Sequence, residues 1–175
     1  MKSAFERALD YTFGNEGGFS NEKFDAGGAT KFGITIHDLA RWRHRAVSVQ
    51  EVKDLKLEDA MSIYEAWYWK PLACPDIKYP GVAIAMFDIG VVRGIGVPPI
   101  YAQQICNAHG AKLTVDGHIG PKTLAVINAT DPKLFVNDFA DKARNGFLAI
   151  VVRKPTQARF IKGWLNRAKR LRTLA

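Results

Sequence analysis

Gly14-Asn15-Glu16-Gly17-Gly18-Phe19-Ser20-Asn21-Glu22-Lys23-Phe24-Asp25-Ala26-Gly27-Gly28-Ala29-Thr30-Lys31-Phe32-Gly33-Ile34-Thr35 is the stretch around which the chain is organised. Six of the 15 glycines fall within these 22 residues. Glycine opens backbone conformations closed to other residues and lets a ligand approach the main chain, which makes Gly17, Gly18 and Gly28 candidate contact points. Two acids, Glu16 and Asp25, stand among the glycines, and Thr30 follows Asp25 by five residues. A glycine-dense turn that carries an acid at the end of a helix marks a site rather than a solvated face.

The helix before it is legible. Ser3-Ala4-Phe5-Glu6 fits a capping box, with Ser3 as N-cap and Glu6 at the third helical position. Phe5, Leu9 and Phe13 then recur at helical spacing, which predicts a helix over residues 4–13 that ends near Gly14 or Gly17. Glu16 follows at the negative end of the helix dipole and beside an apolar surface. Both effects disfavour the carboxylate and raise its pKa, which suits a general acid working near neutral pH. The segment from Gly18 to Thr35 is too rich in glycine for a helix and reads as a short irregular β-hairpin. Within it, Asp25 either braces an Asx turn or acts on charge and water, and Thr30 either bonds the turn or helps hold a water.

Outward from this stretch, most segments read as helix. Thr35 with Asp38, and Ser48 with Glu51, predict two further capped starts. Met61, Tyr64 and Tyr68 sit at helical steps over residues 57–69, and Pro71 stops that helix. Residues 81–92 are apolar nearly all round except Asp88, a pattern that belongs at the centre of a globule. Pro98 or Pro99 opens the next helix, Gly110 closes it, and Asp131-Pro132 starts one through Val151. Pro155-Thr156 opens the last, with Phe160, Trp164, Ala168 and Leu171 on one stripe.

Apolar residues make up 47% of the 175 and aromatics 11%, so the chain is not a disordered one. No run approaches the roughly 20 apolar residues of a membrane span. Cys74 and Cys106 lie in apolar surroundings and are expected as a reduced structural pair. The N-terminus lacks the apolar core and small-residue cleavage site of a signal peptide, so the expected location is the cytoplasm until something releases the protein. Charge is divided unevenly. Ten of the 25 Lys and Arg follow Asp141, and none of the 17 Asp and Glu does, so the net +8 arises at the end of the chain. Such an end attracts polyanions, and anionic membrane or wall polymers are the expected partners of the basic C-terminal helix. Nucleic acid is not expected, because stacking aromatics interleaved with the charges, a helix-turn-helix signal and zinc spacing are all missing. His37, His44, His109 and His118 show no metal-ligand spacing, so neither metal nor cofactor is expected.

Glu16-Gly-Gly-Phe19, Asp25-Ala-Gly-Gly-Ala-Thr30 and Phe32-Gly-Ile-Thr35 resemble glycoside hydrolase family 108, whose members are bacterial and phage muramidases, including endolysins and secretion activators. The resemblance continues in Tyr68-Trp69, Val82-Ala83, Phe87-Asp88, the segment from Asp116 to Leu124, and Phe160 to Arg167. It therefore covers nearly the whole chain. It implies a mainly α, lysozyme-like helical globule with a small β-hairpin after the first helix. It also implies a catalytic part over residues 1–95 and a peptidoglycan-binding-like helical part over 96–175, packed as one body, in a monomer.

The implied reaction is hydrolysis of the β-1,4 bond between N-acetylmuramic acid and N-acetylglucosamine in peptidoglycan glycan strands. Glu16 would protonate the leaving oxygen, and Asp25, helped by Thr30, would supply charge or a positioned water on the other face. Retention and inversion both stay open. Tyr68, Trp69, Asp88 and Arg93 join Gly17, Gly18 and Gly28 as candidate substrate contacts. By their helical spacing Tyr68 and Trp69 read first as core aromatics, together with Tyr64 and Trp67, with one or two of the four left to line a sugar cleft, and Asp88 reads as a buried structural acid. Val92 stands where the family has an Asn, with Arg93 next to it. The alternative is a non-catalytic peptidoglycan-binding or secretion-accessory protein on the same fold; the intact Glu16, Asp25 and Thr30 speak against it.

Overall fold

The computed structural model describes residues 2–14, 23–25 and 28–175, with residues 23–25 and 28 described by their backbone alone. The first helix, α1 (Ala4–Phe13), starts on the capping box: Ser3 Oγ accepts the Glu6 N–H at 3.1 Å, and Glu6 accepts the Ser3 N–H at 2.7 Å. It stops at Gly14, whose φ of 81° only glycine adopts freely.

Three short strands follow, β1 (Lys23–Asp25), β2 (Gly28–Lys31) and β3 (Ile34–Thr35), in the order β1-β2-β3 and antiparallel throughout. The expected hairpin is thus a three-stranded meander. Its second turn is made by Phe32 and Gly33, both at positive φ, 53° and 75°. Positive φ at both central residues is the type I′ geometry, whose twist matches that of paired strands. A Cβ on Gly33 would stand 2.5 Å from the Tyr64 hydroxyl, and that hydroxyl donates to the Phe32 carbonyl at 3.2 Å, so Tyr64 closes over the turn.

The helices α2 (Ile36–Arg43) and α3 (Val49–Lys53) both begin on the capping boxes read from sequence, Thr35 with Asp38 and Ser48 with Glu51. Then comes α4 (Leu57–Tyr64), which does not run on as an α-helix to Trp69. Residues Glu65–Trp69 widen into a π turn, with the Lys70 N–H donating to the Glu65 carbonyl at 2.9 Å.

The central helix is α5 (Pro80–Arg93), buried at every position from Val82 to Gly90. Phe87 is the hub of an aromatic cluster. Phe5, Tyr64, Tyr68 and Trp69 all meet its ring edge-on, with centroids 5.7 to 6.5 Å away. Edge-to-face pairs of this kind add roughly 0.5–1.5 kcal/mol each beyond the area they bury.

Four helices complete the described chain: α6 (Val97–Ala108), α7 (Pro121–Ala129), α8 (Pro132–Arg153) and α9 (Ile161–Leu171), with a 3-10 turn at Pro155–Phe160 and another at Arg172–Leu174. The protein is mainly α with a lysozyme-like arrangement. Around α5 pack α1, α6 and α8, and α9 lies against α8. Trp164 stacks on Phe147 of α8, whereas Phe160, expected on the docking stripe, is 44% exposed because it closes the 3-10 turn before α9 begins. Cys74 and Cys106 are free and buried.

Asp88, near the middle of α5, is 0% exposed. Arg167 of α9 pairs with its Oδ1 at 2.5 Å. A Cβ on Gly81 would fall 2.1 Å from the Leu174 carbonyl oxygen, so the end of the chain lies directly on the start of α5. Leu174 is seven residues beyond Arg167, and Gly81 is seven before Asp88. The C-terminal helix therefore runs antiparallel to the central one.

Two effects oppose each other on Asp88. Burial raises its pKa from 3.8, and the Arg167 and Arg170 guanidinium groups pull it back; burial prevails, leaving the carboxyl at about 6. The folded state then holds this proton more tightly than the unfolded chain does. As pH rises from 3.8 to about 6 the unfolded state loses the proton first, so stability falls through that window and then levels. Asp88→Asn removes the titration. In denaturant unfolding, wild type should lose stability relative to Asp88→Asn across that window and hold a constant difference above it. A difference that grows in the opposite sense would mean that Arg167 outweighs burial.

Candidate active site

The structure distributes the expected site residues unevenly. Glu16, Gly17 and Gly18 lie outside the described residues. Asp25 and Gly28 are described by backbone only, and the register pairs them with each other at the closed end of the β1–β2 ladder. Lys23 pairs with Thr30 in the same ladder. Directly opposed residues share a face and alternate positions along a strand return to it, so positions 25 and 30 belong to one face of the ladder. Thr30 is half-buried and is flanked on its other side by Thr35. The face is set from the opposite side of the sheet: Ala29 and Ile34 are buried, and the Lys31 ammonium donates to the carbonyl of Lys53 at the end of α3.

The aromatic candidates separate. Trp69 is 5% exposed, with Phe5 at 5.4 Å and Phe87 at 5.7 Å, and is a core residue. Tyr68 is half-buried and lines an open concavity of about 400 Å³ together with Arg41, Trp67, Pro71, Gly94 and Ile95. Burial first, and the charge of Asp38 second, hold the Tyr68 phenol above its ordinary pKa, so it stays a neutral hydrogen-bond donor. The Arg41 guanidinium lies over the Trp67 ring at 4.7 Å, and Trp42 meets that ring edge-on at 5.9 Å. The indole is thereby fixed in the wall.

Asp88 is withdrawn from substrate by its complete burial. Arg93 is withdrawn by direction: its guanidinium packs over the Phe147 ring at 5.3 Å, and its Nη1 lies against Gly146 of α8. The segment that follows it, Gly94 and Ile95, takes its place in the concavity.

Pro71 and Ile95 also line a second concavity, of about 710 Å³, whose far wall is Asp116, Gly117, His118, Ile119 and Gly120. The two adjoin at Pro71 and Ile95, which line both, and together make one groove. That far wall is the Asp-Gly turn singled out in the sequence. Asp116 Oδ1 accepts the His118 N–H at 2.9 Å, Gly117 has φ 77°, and Pro121 opens α7. Gln103 of α6, 1% exposed, pins the turn with three bonds: it donates to Asp116 Oδ1 at 2.7 Å and to the His118 carbonyl at 2.9 Å, and it accepts the Gly117 N–H at 3.0 Å. These bonds hold the Asp116 carboxyl below its ordinary pKa and keep it charged at the groove. Gln103 escaped the sequence reading; its only signal was a glutamine on the apolar side of a helix. The groove offers aromatic faces, neutral donors and a fixed carboxylate along one elongated surface, which suits an extended ligand with both hydroxyl or amide groups and apolar faces.

Comparisons with known proteins agree with that chemistry. The glycosyl hydrolase 108 family model matches residues 9–94, and a family described as a predicted peptidoglycan domain matches residues 98–169. The groove thus lies where the two matched segments meet. The solved structure of Brucella abortus SagA matches with a TM-score of 0.74 and 32% identity, over 97% of this chain and 91% of that one. No curated protein matches the chain. On these likenesses, carried along both segments, the chain belongs to the glycosyl hydrolase 108 family and is a peptidoglycan-acting hydrolase with a peptidoglycan-binding segment in its second half.

Proposed function

We propose that this hydrolase is a muramidase, cutting the β-1,4 bond between N-acetylmuramic acid and N-acetylglucosamine, with Glu16 as the acid that protonates the leaving oxygen. The observation that carries the reading is the way α1 ends. The helix stops at Gly14, and Glu16 follows two residues later, next in sequence to the negative end of the helix dipole. Asp25 and Thr30 support it, since the ladder register places their positions on one face. Asp25 supplies negative charge or aligns water, and Thr30 assists. The groove through Tyr68, Ile95 and Asp116 carries the glycan strand across both matched segments.

The basic end supplies capture rather than chemistry. Arg167, Arg170 and Arg172 are occupied: Arg172 pairs with Asp141 at 2.6 Å, and the other two hold α1 and α5. Among the described residues, the exposed cations left for a polymer include Lys154, Arg159 and Lys162, around the turn that joins α8 to α9, and Lys169 further along α9. That turn also shows apolar surface, with Val152 80% exposed and Phe160 44% exposed under the Arg159 guanidinium. Anionic wall or membrane polymers are its proposed partners.

Purified peptidoglycan, digested and weighed by mass spectrometry, should yield muropeptides with a reducing muramic acid end. Glu16→Gln should lower turnover by roughly 100- to 10,000-fold with the melting temperature unchanged, because general acid catalysis is worth about that much. A variant retaining more than about a tenth of wild-type turnover removes Glu16 from this role.

Asp25→Asn and Thr30→Val separate chemistry from bracing. On the proposed reading turnover falls further than wall binding or melting temperature. A parallel loss of stability and turnover would make the pair part of the sheet only.

For capture, Lys154, Arg159 and Lys162 replaced together by Gln should weaken co-sedimentation with purified walls at low salt and leave turnover at saturating substrate unchanged. Unchanged sedimentation would return these cations to an ordinary solvated face.

A further inference from the structure

The last turn of a helix leaves its carbonyls without partners inside the helix. At the end of α1 the carbonyl acceptors of Tyr11 and Thr12 are in that position, and α1 has no basic residue in its last turn. The cations come instead from the other end of the chain. Arg170 Nη2 donates to the Tyr11 carbonyl at 2.8 Å, and Arg167 Nη2 donates to the Thr12 carbonyl at 3.3 Å. Arg167 uses its other arm, Nη1, on Asp88. One planar group therefore fixes three elements at once: the end of α1, the middle of α5, and α9.

The surroundings are not those of a staple selected for stability alone. Among the described residues, Asp88 Oδ2, Thr12 Oγ1 and the Tyr11 hydroxyl are buried and find no partner at full hydrogen-bond geometry, although Thr12 lies near Asp88 and Arg170 near Tyr11. An unsatisfied buried polar atom costs about 1–3 kcal/mol, and a buried ion pair is often no better than an apolar replacement. The cluster keeps its polarity at a cost, and it keeps it beside the segment that leads to the proposed acid. Thr12 precedes Glu16 by four residues, and a chain that short spans at most about 14 Å. A shift of Thr12 is passed to Glu16 through very little chain.

We propose that Arg167, from the peptidoglycan-binding segment, is a positioning residue for catalysis: its fork on Asp88 and the Thr12 carbonyl sets the end of α1 from which the chain bearing the acid departs. The proposal rests on the assignment of Glu16 as the acid. It makes the second segment a structural contributor to bond cleavage as well as a contributor to binding.

Arg167→Lys tests it, because Lys keeps the charge opposite Asp88 and loses the planar fork that reaches two acceptors. Misplacement of a catalytic group by about 1 Å can cost up to about 100-fold in rate, so a partial release should lower kcat by about tenfold. KM should stay within about twofold of wild type, and the melting temperature should stay close to it, since the ion pair is kept. Arg170→Lys is the comparison: Arg170 bonds the Tyr11 carbonyl and lies over the Tyr11 ring but makes no bond to Asp88 or to the Thr12 carbonyl, and its replacement should leave kcat unchanged.

Wild-type kcat in Arg167→Lys overturns the proposal. So does a loss of kcat matched by a fall in melting temperature, a rise in KM alone, or an equal loss in Arg170→Lys. Glu16→Gln, run in the same assay, keeps the two readings apart. If it is inactive while Arg167→Lys is unimpaired, only the positioning role falls. If it retains turnover, the acid assignment falls first.

Discussion

A carboxylate with no exposed surface sits at the centre of this protein, and the only described cation that reaches it by an ion pair comes from a helix 79 residues further along the chain. Moving two charges out of water costs several kcal/mol for each ion, and attraction in the interior repays that only when the geometry is good. Leaving one member alone costs about 3–5 kcal/mol. Asp88 therefore becomes tolerable only once α1, α5 and α9 are all in place. The C-terminal helix cannot fray without baring the acid of the central one, and the antiparallel contact of Leu174 on Gly81 extends the same dependence to the last residues. The two segments that match different families are joined by a charge that neither can bury comfortably by itself.

The groove inherits its shape from the residue next door. Phe87 precedes Asp88 on α5 and gathers Phe5, Tyr64, Tyr68 and Trp69 around it. Trp67, Tyr68 and Trp69 are consecutive, and only Trp69 is buried. An ideal α-helix turns about 100° per residue, and the wider π turn over Glu65–Trp69 changes where each ring points. Trp69 enters the core while Trp67 and Tyr68 stay at the groove. The end of α5 supplies the next part of the wall, because Gly94 lets the chain turn out at φ 89° and puts Ile95 at the junction of both concavities. Gln103 then fixes the far wall. Each wall is thus held by a buried side chain behind it, which keeps the groove formed without a ligand present.

What could be read from sequence was local, and what could not was relational. The N-caps Ser3, Thr35, Ser48 and Asp131 were legible because a cap is a bond between residues three apart, and all four accept the N–H expected of them. The burial of residues 82–90 was legible because a helix apolar on every side has nowhere else to go. The third strand was not, since Phe-Gly is a weaker turn signal than Asn-Gly, and the positive φ of Phe32 depends on Tyr64 closing over it from 32 residues away. The π turn was not, since the hydrophobic period of 57–69 is satisfied on average by an ordinary helix. Asp88 was legible as a buried acid, but its partner was not, because nothing in the spacing of Arg167 within a basic helix marks it off from Lys169 or Arg172. The groove residues divide in the same way. Tyr68 and Trp69 are neighbours of like type, and only the packing of Phe5 and Phe87 separates one as wall from the other as core.

The fate of the charge excess follows from the same distinction between local and relational. Ten cations after Asp141 look like one basic face when counted along the chain. In three dimensions they perform separate tasks. Arg167 and Arg172 meet carboxylates, so their fields are cancelled at short range by Asp88 and Asp141. Arg170 bonds a neutral carbonyl and lies over the Tyr11 ring at 4.4 Å, so its charge is directed inward by contact but is not cancelled. Contact and field therefore part company. Before contact, at separations up to the roughly 8 Å Debye length of physiological salt, a polyanion responds to the net charge of the whole end, paired and unpaired alike. Once in contact, it can bond only to groups whose donors are not already used, and these include Lys154, Arg159 and Lys162 around the turn between α8 and α9 and Lys169 on α9. Attraction before contact and the point of attachment are thus set by different residues of the same helix pair, and the cations at the end of α1, Arg167 and Arg170, are the ones committed to holding that helix in place.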